Sequence, residues 1–272
     1  MSKANGKKNT AQSKEESLNK EESENSAPSN SGLPLFFSKP VLLATDRHSG
    51  SGIRLGLPPA FASETNSIPV TVAEFIEAAK YYPIVFSAED PVIPVVVTGL
   101  EKKNYFIDDE GFWHKNAYVP AYVRKYPFVF VEDQENNKLM LCVDEDATSF
   151  VANAEEQNVA KFYEGDQPTE FTRNALNFCT AVQEQHNITR AFCDVLKSMD
   201  LLQVNQSEAK LASGKALRLN GFQVIDVEKL RDLPDEKVLE LHRQGWMPLI
   251  YYCILSGGNW KTLLEMAERS AA

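Results

Sequence analysis

The chain has 272 residues, 43% of them hydrophobic, with 28 Lys and Arg against 38 Asp and Glu for a formal net charge of −10. That length allows one large domain or two small ones, with ample apolar material for a core. The acidic balance argues against a nucleic-acid binder, which needs a positive surface to displace counterions from phosphates, and equally against docking on anionic lipid.

Residues 1–32 hold five Lys, five Glu, no aromatic and almost nothing apolar. Such a segment cannot bury enough surface to offset the entropy of ordering it. The composition therefore predicts a disordered charged tail over 1–32 and a single ordered domain over 33–272. The tail's charges cancel, so the whole −10 belongs to the ordered part. The first twenty residues contain no apolar h-region, and the longest apolar run, Leu249–Leu255, falls short of the about 20 residues of a membrane span. These features predict a cytoplasmic protein with no membrane span. Cys142, Cys179, Cys193 and Cys253 lie far apart, with neither zinc nor disulfide spacing, and read as small buried hydrophobes.

Residues 46–60, rich in Gly, Ser and Pro, read as a surface loop. Thr71-Val72-Ala73-Glu74 has the form of a capping box and predicts a short helix to about Tyr81, which Pro83 stops. Strand-like runs follow at 84–86, 92–97, 105–107, 112–114, 118–123, 128–132 and 139–143. They are rich in β-branched and aromatic residues, and the turn cluster Asp108-Asp109-Glu110-Gly111 separates two of them. Their short connections favour antiparallel pairing. Residues 132–138 read as a hairpin loop, and 144–168 as an acidic, irregular stretch.

The longest helix is predicted from Thr169 to about Met199. Phe171, Ala175, Phe178, Val182, Gln185, Thr189, Phe192, Leu196 and Met199 follow alternating steps of four and three, a heptad seam with two polar positions in its middle. The seam leaves two roles open: packing across a sheet, or a homodimer through the Phe171–Met199 helix. Two more strands are predicted at 202–208 and 216–225, with a turn at Ser213-Gly214. A helix starts near Pro234 and stops at Gly245, an apolar helix begins at Pro248, and an amphipathic one follows Asn259. Strands clustered before a helical group define an α+β fold: a mainly antiparallel sheet from the central region, with a long helix and a C-terminal helical group packed on it.

Chemistry-bearing motifs are sparse. Gly50-Ser51-Gly52 is followed at 55 by Leu rather than Gly, so it is not a dinucleotide fingerprint. Walker loop, nucleophile elbow and H-E-x-x-H are missing from the sequence, and the four His (48, 114, 186, 242) are scattered. No catalytic residue and no cofactor are therefore expected. Asp144 and Asp146 are weak candidates for holding a divalent metal through oxygen ligands. The segment 118–128 is more pointed, with Tyr118, Tyr122 and Tyr126 around Arg124 and Lys125. If it is extended, Tyr118, Pro120, Tyr122 and Arg124 share one face, where rings beside a guanidinium can hold a carboxylate, a peptide or a planar ring. The bland alternative is an Arg stacked on its own core tyrosines.

The blocks IPVTVAEFIEAAKYYPIVF (68–86), VPAYVRKYPFVF (119–130), LNFCTAVQEQHNITRAFCDVLKSMDLL (176–202) and GFQVIDVEKLRDLPDEKVLELHRQGWMPLIYYCILSGGNWKTLL (221–264) resemble the SapC family of bacterial proteins. The resemblance covers about 200 residues in one order and excludes the tail. It does not extend to the peptide-transporter permease of the same name, which spans a membrane. What the resemblance implies is an S-layer association by name and, from a context of neighbouring enzymes and receptors, an accessory role; it implies no catalytic residues. The leading expectation is a non-catalytic binding or accessory protein that holds a peptide, small molecule or protein partner through Tyr118, Tyr122, Arg124 and Tyr126. The rival is a structural, surface-layer-associated component that self-assembles. A metal-dependent enzyme at Asp144 and Asp146 comes third.

Overall fold

The computed structural model describes residues 32–133, 138–210 and 216–271. Residues 1–31 of the expected tail and the expected Ser213-Gly214 turn lie outside the described residues. From the N-terminal side the elements are β1 (Pro40–Leu42), α1 (Thr45–His48), β2 (Gly52–Arg54), β3 (Ser67–Pro69) and a 3-10 turn (Val72–Glu74) that runs into α2 (Phe75–Ala78). Next come β4 (Ile84–Ser87), β5 (Pro94–Val97), α3 (Ala121–Arg124), β6 (Phe128–Asp133), β7 (Lys138–Asp144), β8 (Phe150–Val151), β9 (Val159–Lys161), β10 (Tyr163–Glu164) and β11 (Gln167–Pro168). The long helix is α4 (Glu170–Ser198). After it follow β12 (Leu202–Lys210), β13 (Ala216–Ile225), α5 (Val227–Arg231), α6 (Asp235–Arg243), α7 (Met247–Ser256) and α8 (Trp260–Ala271).

The fold is α+β, and its sheets are antiparallel. A five-stranded sheet has the order β12-β13-β4-β5-β3, and two three-stranded sheets have the orders β1-β7-β6 and β8-β2-β9. In the large sheet the late hairpin joins an early strand, with Phe222 opposite Ser87 and Gln223 opposite Phe86. Two main apolar clusters result, beside a minor one of Phe37, Val129 and Cys142. The larger gathers Phe75, Tyr82, Phe86, Phe192, Leu196, Leu241, Ile250 and Leu263 between this sheet and the helices. The smaller gathers Ile53, Phe128, Val143, Phe162 and Cys179, with Phe171 and Ala175 packed on it. Each fully buried Phe or Leu contributes about 1.5–3 kcal/mol relative to leaving it in water.

Helix α4 crosses both clusters, and this accounts for its seam. Thr169 caps it by accepting the Thr172 N–H at 3.3 Å. Its first turns pack on the small cluster and its last turns, through Phe192, Cys193 and Leu196, on the large one. Buried Thr189 lies between: its hydroxyl donates to the Gln185 carbonyl at 2.7 Å and accepts the Val72 N–H at 3.0 Å. The polar position in the seam thus satisfies the first N–H of a neighbouring helical turn. Val182, Thr189, Phe192 and Leu196 are buried within the same chain, so these positions of the seam serve core packing, while Phe171, Ala175, Phe178, Gln185 and Met199 are half-buried.

Four expectations are corrected. The stretch 144–168 is not irregular throughout: it contains β8 to β11, and β8 and β9 pair with β2 on either side. Residues 46–60 are no surface loop throughout: they contain α1 and β2, and His48 is fully buried, edge-on to Phe150 and Phe162. Gly52 belongs to β2 because a Cβ there would lie 2.4 Å from the Ala160 carbonyl oxygen of β9. The runs 105–107 and 112–114 are not strands but meet in a single bridge, Ile107 to Trp113. The Asp108 carboxylate accepts the N–H groups of Glu110 and Phe112, tightening the turn before a ladder can start. Finally, residues 121–124 form α3 rather than a strand. Pro120 precedes it, and the Glu74 carboxylate accepts the Ala121 N–H at 2.7 Å.

Glu74 is 6% exposed. Its Oε2 accepts the Thr71 N–H at 2.8 Å and the Thr71 hydroxyl at 3.0 Å; its Oε1 accepts the Ala121 N–H and, at 3.0 Å, the Tyr118 hydroxyl. Glu74→Ala should lower unfolding free energy by about 3 kcal/mol or more, since it leaves several buried donors unpaired. Thr189→Val keeps the shape and orphans one N–H, and should cost about 1–3 kcal/mol. Urea unfolding midpoints check both; a loss under half of these values in either variant would count against the assigned bonds.

Candidate functional site

The four aromatic and cationic residues expected to line one face are divided by α3. Tyr122 is 8% exposed and belongs to the large core cluster. Tyr118 is half-buried, donates to Glu74 and accepts from Arg124 Nη2 at 3.1 Å. Burial first, with the Glu74 charge second, pushes its phenol up to about 12, so it stays protonated. Tyr126 stacks on Phe61 with centroids 4.2 Å apart and points its hydroxyl at Asp144 Oδ2 at 3.5 Å.

Arg124 and Tyr126 do line a cavity of about 270 Å³, together with Lys125, Pro127 and Phe128. Ile53 and Leu55 from β2 and its exit form a second wall, and Phe171, Asn174, Ala175, Phe178 and Cys179 of α4 a third. Arg124 serves mainly as a brace. Its Nε donates to the Val119 carbonyl at 3.0 Å, and its guanidinium carbon lies 5.7 Å from the Tyr118 ring centroid and 5.2 Å from that of Phe178. It is at once stacked on a tyrosine of its own segment and part of the cleft wall.

Lys125 is the residue that the sequence did not single out. It is half-buried, with its Nζ 4.4 Å from the Tyr122 ring centroid. Removal from water lowers its pKa below the ordinary lysine value, and the neighbouring Cys179 opposes this only in part. Among the described residues no carboxylate pairs with it. His186, on the same helix as Cys179, is held below the usual histidine range by burial first and the Lys125 charge second. The Cys179 thiol is pushed up to about 11 by burial and stays protonated, which removes it as a nucleophile. The helical side of the cleft was visible only as the first part of the heptad seam, Phe171, Ala175 and Phe178; nothing in the local sequence tied Ile53 and Leu55 to it.

The acidic pair is divided between a buried and an exposed position. Asp144 is fully buried, and its carboxylate accepts the N–H groups of Ser38, Lys39 and Asp146 at 2.8, 2.9 and 3.2 Å. Asp146 is exposed. Among the described residues, no three His, Cys, Asp or Glu side chains gather in a metal-holding group. Glu145, between the pair, takes Arg47 through two bonds of 2.6 and 2.7 Å and Lys39 at 2.9 Å. These cations hold its carboxyl down at about 2. Among the described residues, no helix is long and apolar enough to cross a membrane.

An acidic α+β chain with one apolar, cation-edged cleft is thus the class that the fold and site define. The chain belongs to the SapC family, whose model matches residues 43–263. No curated protein and no solved structure matches it.

Two pH-linked outcomes follow from these charges. Glu145 has a folded-state pKa below its free value of 4.5, so its contribution is present above about pH 4.5 and is lost as pH falls towards about 2. Glu145→Gln should flatten the decline of unfolding free energy across that window, and an unchanged slope would exclude the pairing as its cause. Lys125 has the opposite sign: its lowered pKa costs stability wherever the unfolded side chain is charged, and the cost fades as pH rises to about 10.5. Lys125→Met should therefore raise the urea midpoint at neutral pH, with a smaller gain in alkali. A lower midpoint at neutral pH would contradict the desolvation of this amine.

Proposed function

We propose that this SapC-family chain is a non-catalytic binding or accessory protein whose ligand sits in the cleft between β2, the 124–128 segment and α4. The observation that carries this reading is half-buried Lys125, which lines a cavity of about 270 Å³ with largely apolar walls and has no carboxylate partner among the described residues. A buried charge without a partner is costly, and proteins retain such strain chiefly where a site uses it. Apolar walls with a few placed polar groups are the usual composition of small-molecule pockets.

The non-catalytic part of the reading is supported by the state of the nearby reactive groups. Cys179 stays a thiol. Glu74 and Asp144, the buried carboxylates closest in sequence to the cleft segments, have main-chain N–H donors on both oxygens or nearly so. Neither is poised to take a proton from a substrate.

The test uses 3-phenylpropanamide, a neutral probe of suitable size, titrated calorimetrically into the full chain. Saturable one-site binding is expected. Ala175→Trp, which fills the cleft from α4, should abolish it, and Arg124→Ala should weaken it severalfold by releasing Phe178, with circular dichroism unchanged in both. Binding that survives Ala175→Trp, or no saturable binding at all, would overturn the reading.

A further inference from the structure

We propose that the occupant of the cleft is a small apolar monocarboxylate, with its charge at Lys125 and its hydrocarbon part among Phe128, Phe171 and Phe178. This rests on the binding reading above and adds the ligand's charge, size and shape.

Charge is decided by what Lys125 lacks. In this acidic chain many surface cations already have carboxylates: Lys39 and Arg47 share Glu145, Arg54 takes Glu156, and Lys197 takes Asp90. Lys125 is more buried than Lys39, Arg47 and Lys197 and has none among the described residues. A ligand carboxylate would supply the missing counter-charge where water is scarce, and there a charge-assisted hydrogen bond is worth most. A cationic ligand would meet Arg124 and Lys125 together at the rim. A dianion such as a phosphate ester would bring a second negative charge against walls that are largely apolar, where its desolvation is costly.

Size and shape follow from the walls. At about 270 Å³ the cavity lies just below the roughly 300–1,000 Å³ of pockets that take drug-sized ligands, which sets a small occupant. An acid of about ten non-hydrogen atoms, one ring on a short chain, meets that limit. The rings of Phe128 and Phe171 stand 5.9 Å apart at 58°, an arrangement that presents edges and faces to a third ring rather than a closed stack.

The test compares 3-phenylpropanoate with its neutral amide by calorimetry on the full chain, then on Lys125→Met and Lys125→Arg. The acid should bind about tenfold or more tightly than the amide. Lys125→Met should erase that preference by weakening the acid alone, and Lys125→Arg should keep part of it. Equal affinities for acid and amide in the unaltered chain would overturn the carboxylate assignment while leaving the cleft occupied. Binding of neither probe would overturn both this inference and the binding reading. A Lys125→Met protein that keeps the full preference would remove Lys125 from the assignment. Should that variant not fold, the pair of probes on the unaltered chain still decides the ligand's charge.

Discussion

The Glu74 carboxylate holds together parts of the chain that lie nearly fifty residues apart. With one oxygen it closes the capping box of its own helical turn, and with the other it caps α3 through the Ala121 N–H and receives the Tyr118 hydroxyl. A helix of four residues does not form by propensity, because nucleation costs more than so few hydrogen bonds return. Helix α3 exists because a distant anion accepts one of its orphan N–H groups. Its register in turn sets where Arg124 and Lys125 emerge. The cleft is therefore placed by a buried charge that never touches it.

Asp144 plays the matching part for the small cluster. It gathers the N–H groups of Ser38, Lys39 and Asp146 at the end of β7, where the chain leaves the β1-β7-β6 sheet. Helix α4 runs past both anchored regions, and Thr189 hands its hydroxyl to the turn that Glu74 caps. Two carboxylates and one threonine thus link segments around the larger and the smaller core, and the cleft opens where α4 faces β2.

Much of the architecture was legible in the sequence. The capping box at Thr71 and Glu74, the strands expected at 84–86, 128–132 and 139–143, the 29-residue α4 with its Thr169 cap, and the helices after Pro234, Pro248 and Asn259 all follow local rules of period, cap and proline placement. What escaped depends on partners far along the chain. Tyr118–Val123 looks like a strand by composition, and only the tertiary cap from Glu74 makes part of it helical. The Gly and Ser around Gly52 resemble loop punctuation, whereas Gly52 is there because β9 runs too close for a Cβ. Of the expected site residues, Arg124 and Tyr126 reach the cleft while Tyr118 and Tyr122 stand behind it. Lys125 shows in the sequence only as the second cation of its segment: its character comes from burial beside α4, some fifty residues later.

The order β12-β13-β4-β5-β3 has a consequence for the growing chain. Strands β3, β4 and β5 can pair with one another as soon as they are made, but the far edge of β4 receives its neighbour only when β13 appears. At common synthesis rates that interval is on the order of ten seconds. Throughout it, Phe86 and Ser87 lie on an unpaired strand edge, the kind of surface that recruits foreign strands. Late completion of the sheet makes newly made SapC-type chains candidates for chaperone capture during synthesis rather than after it.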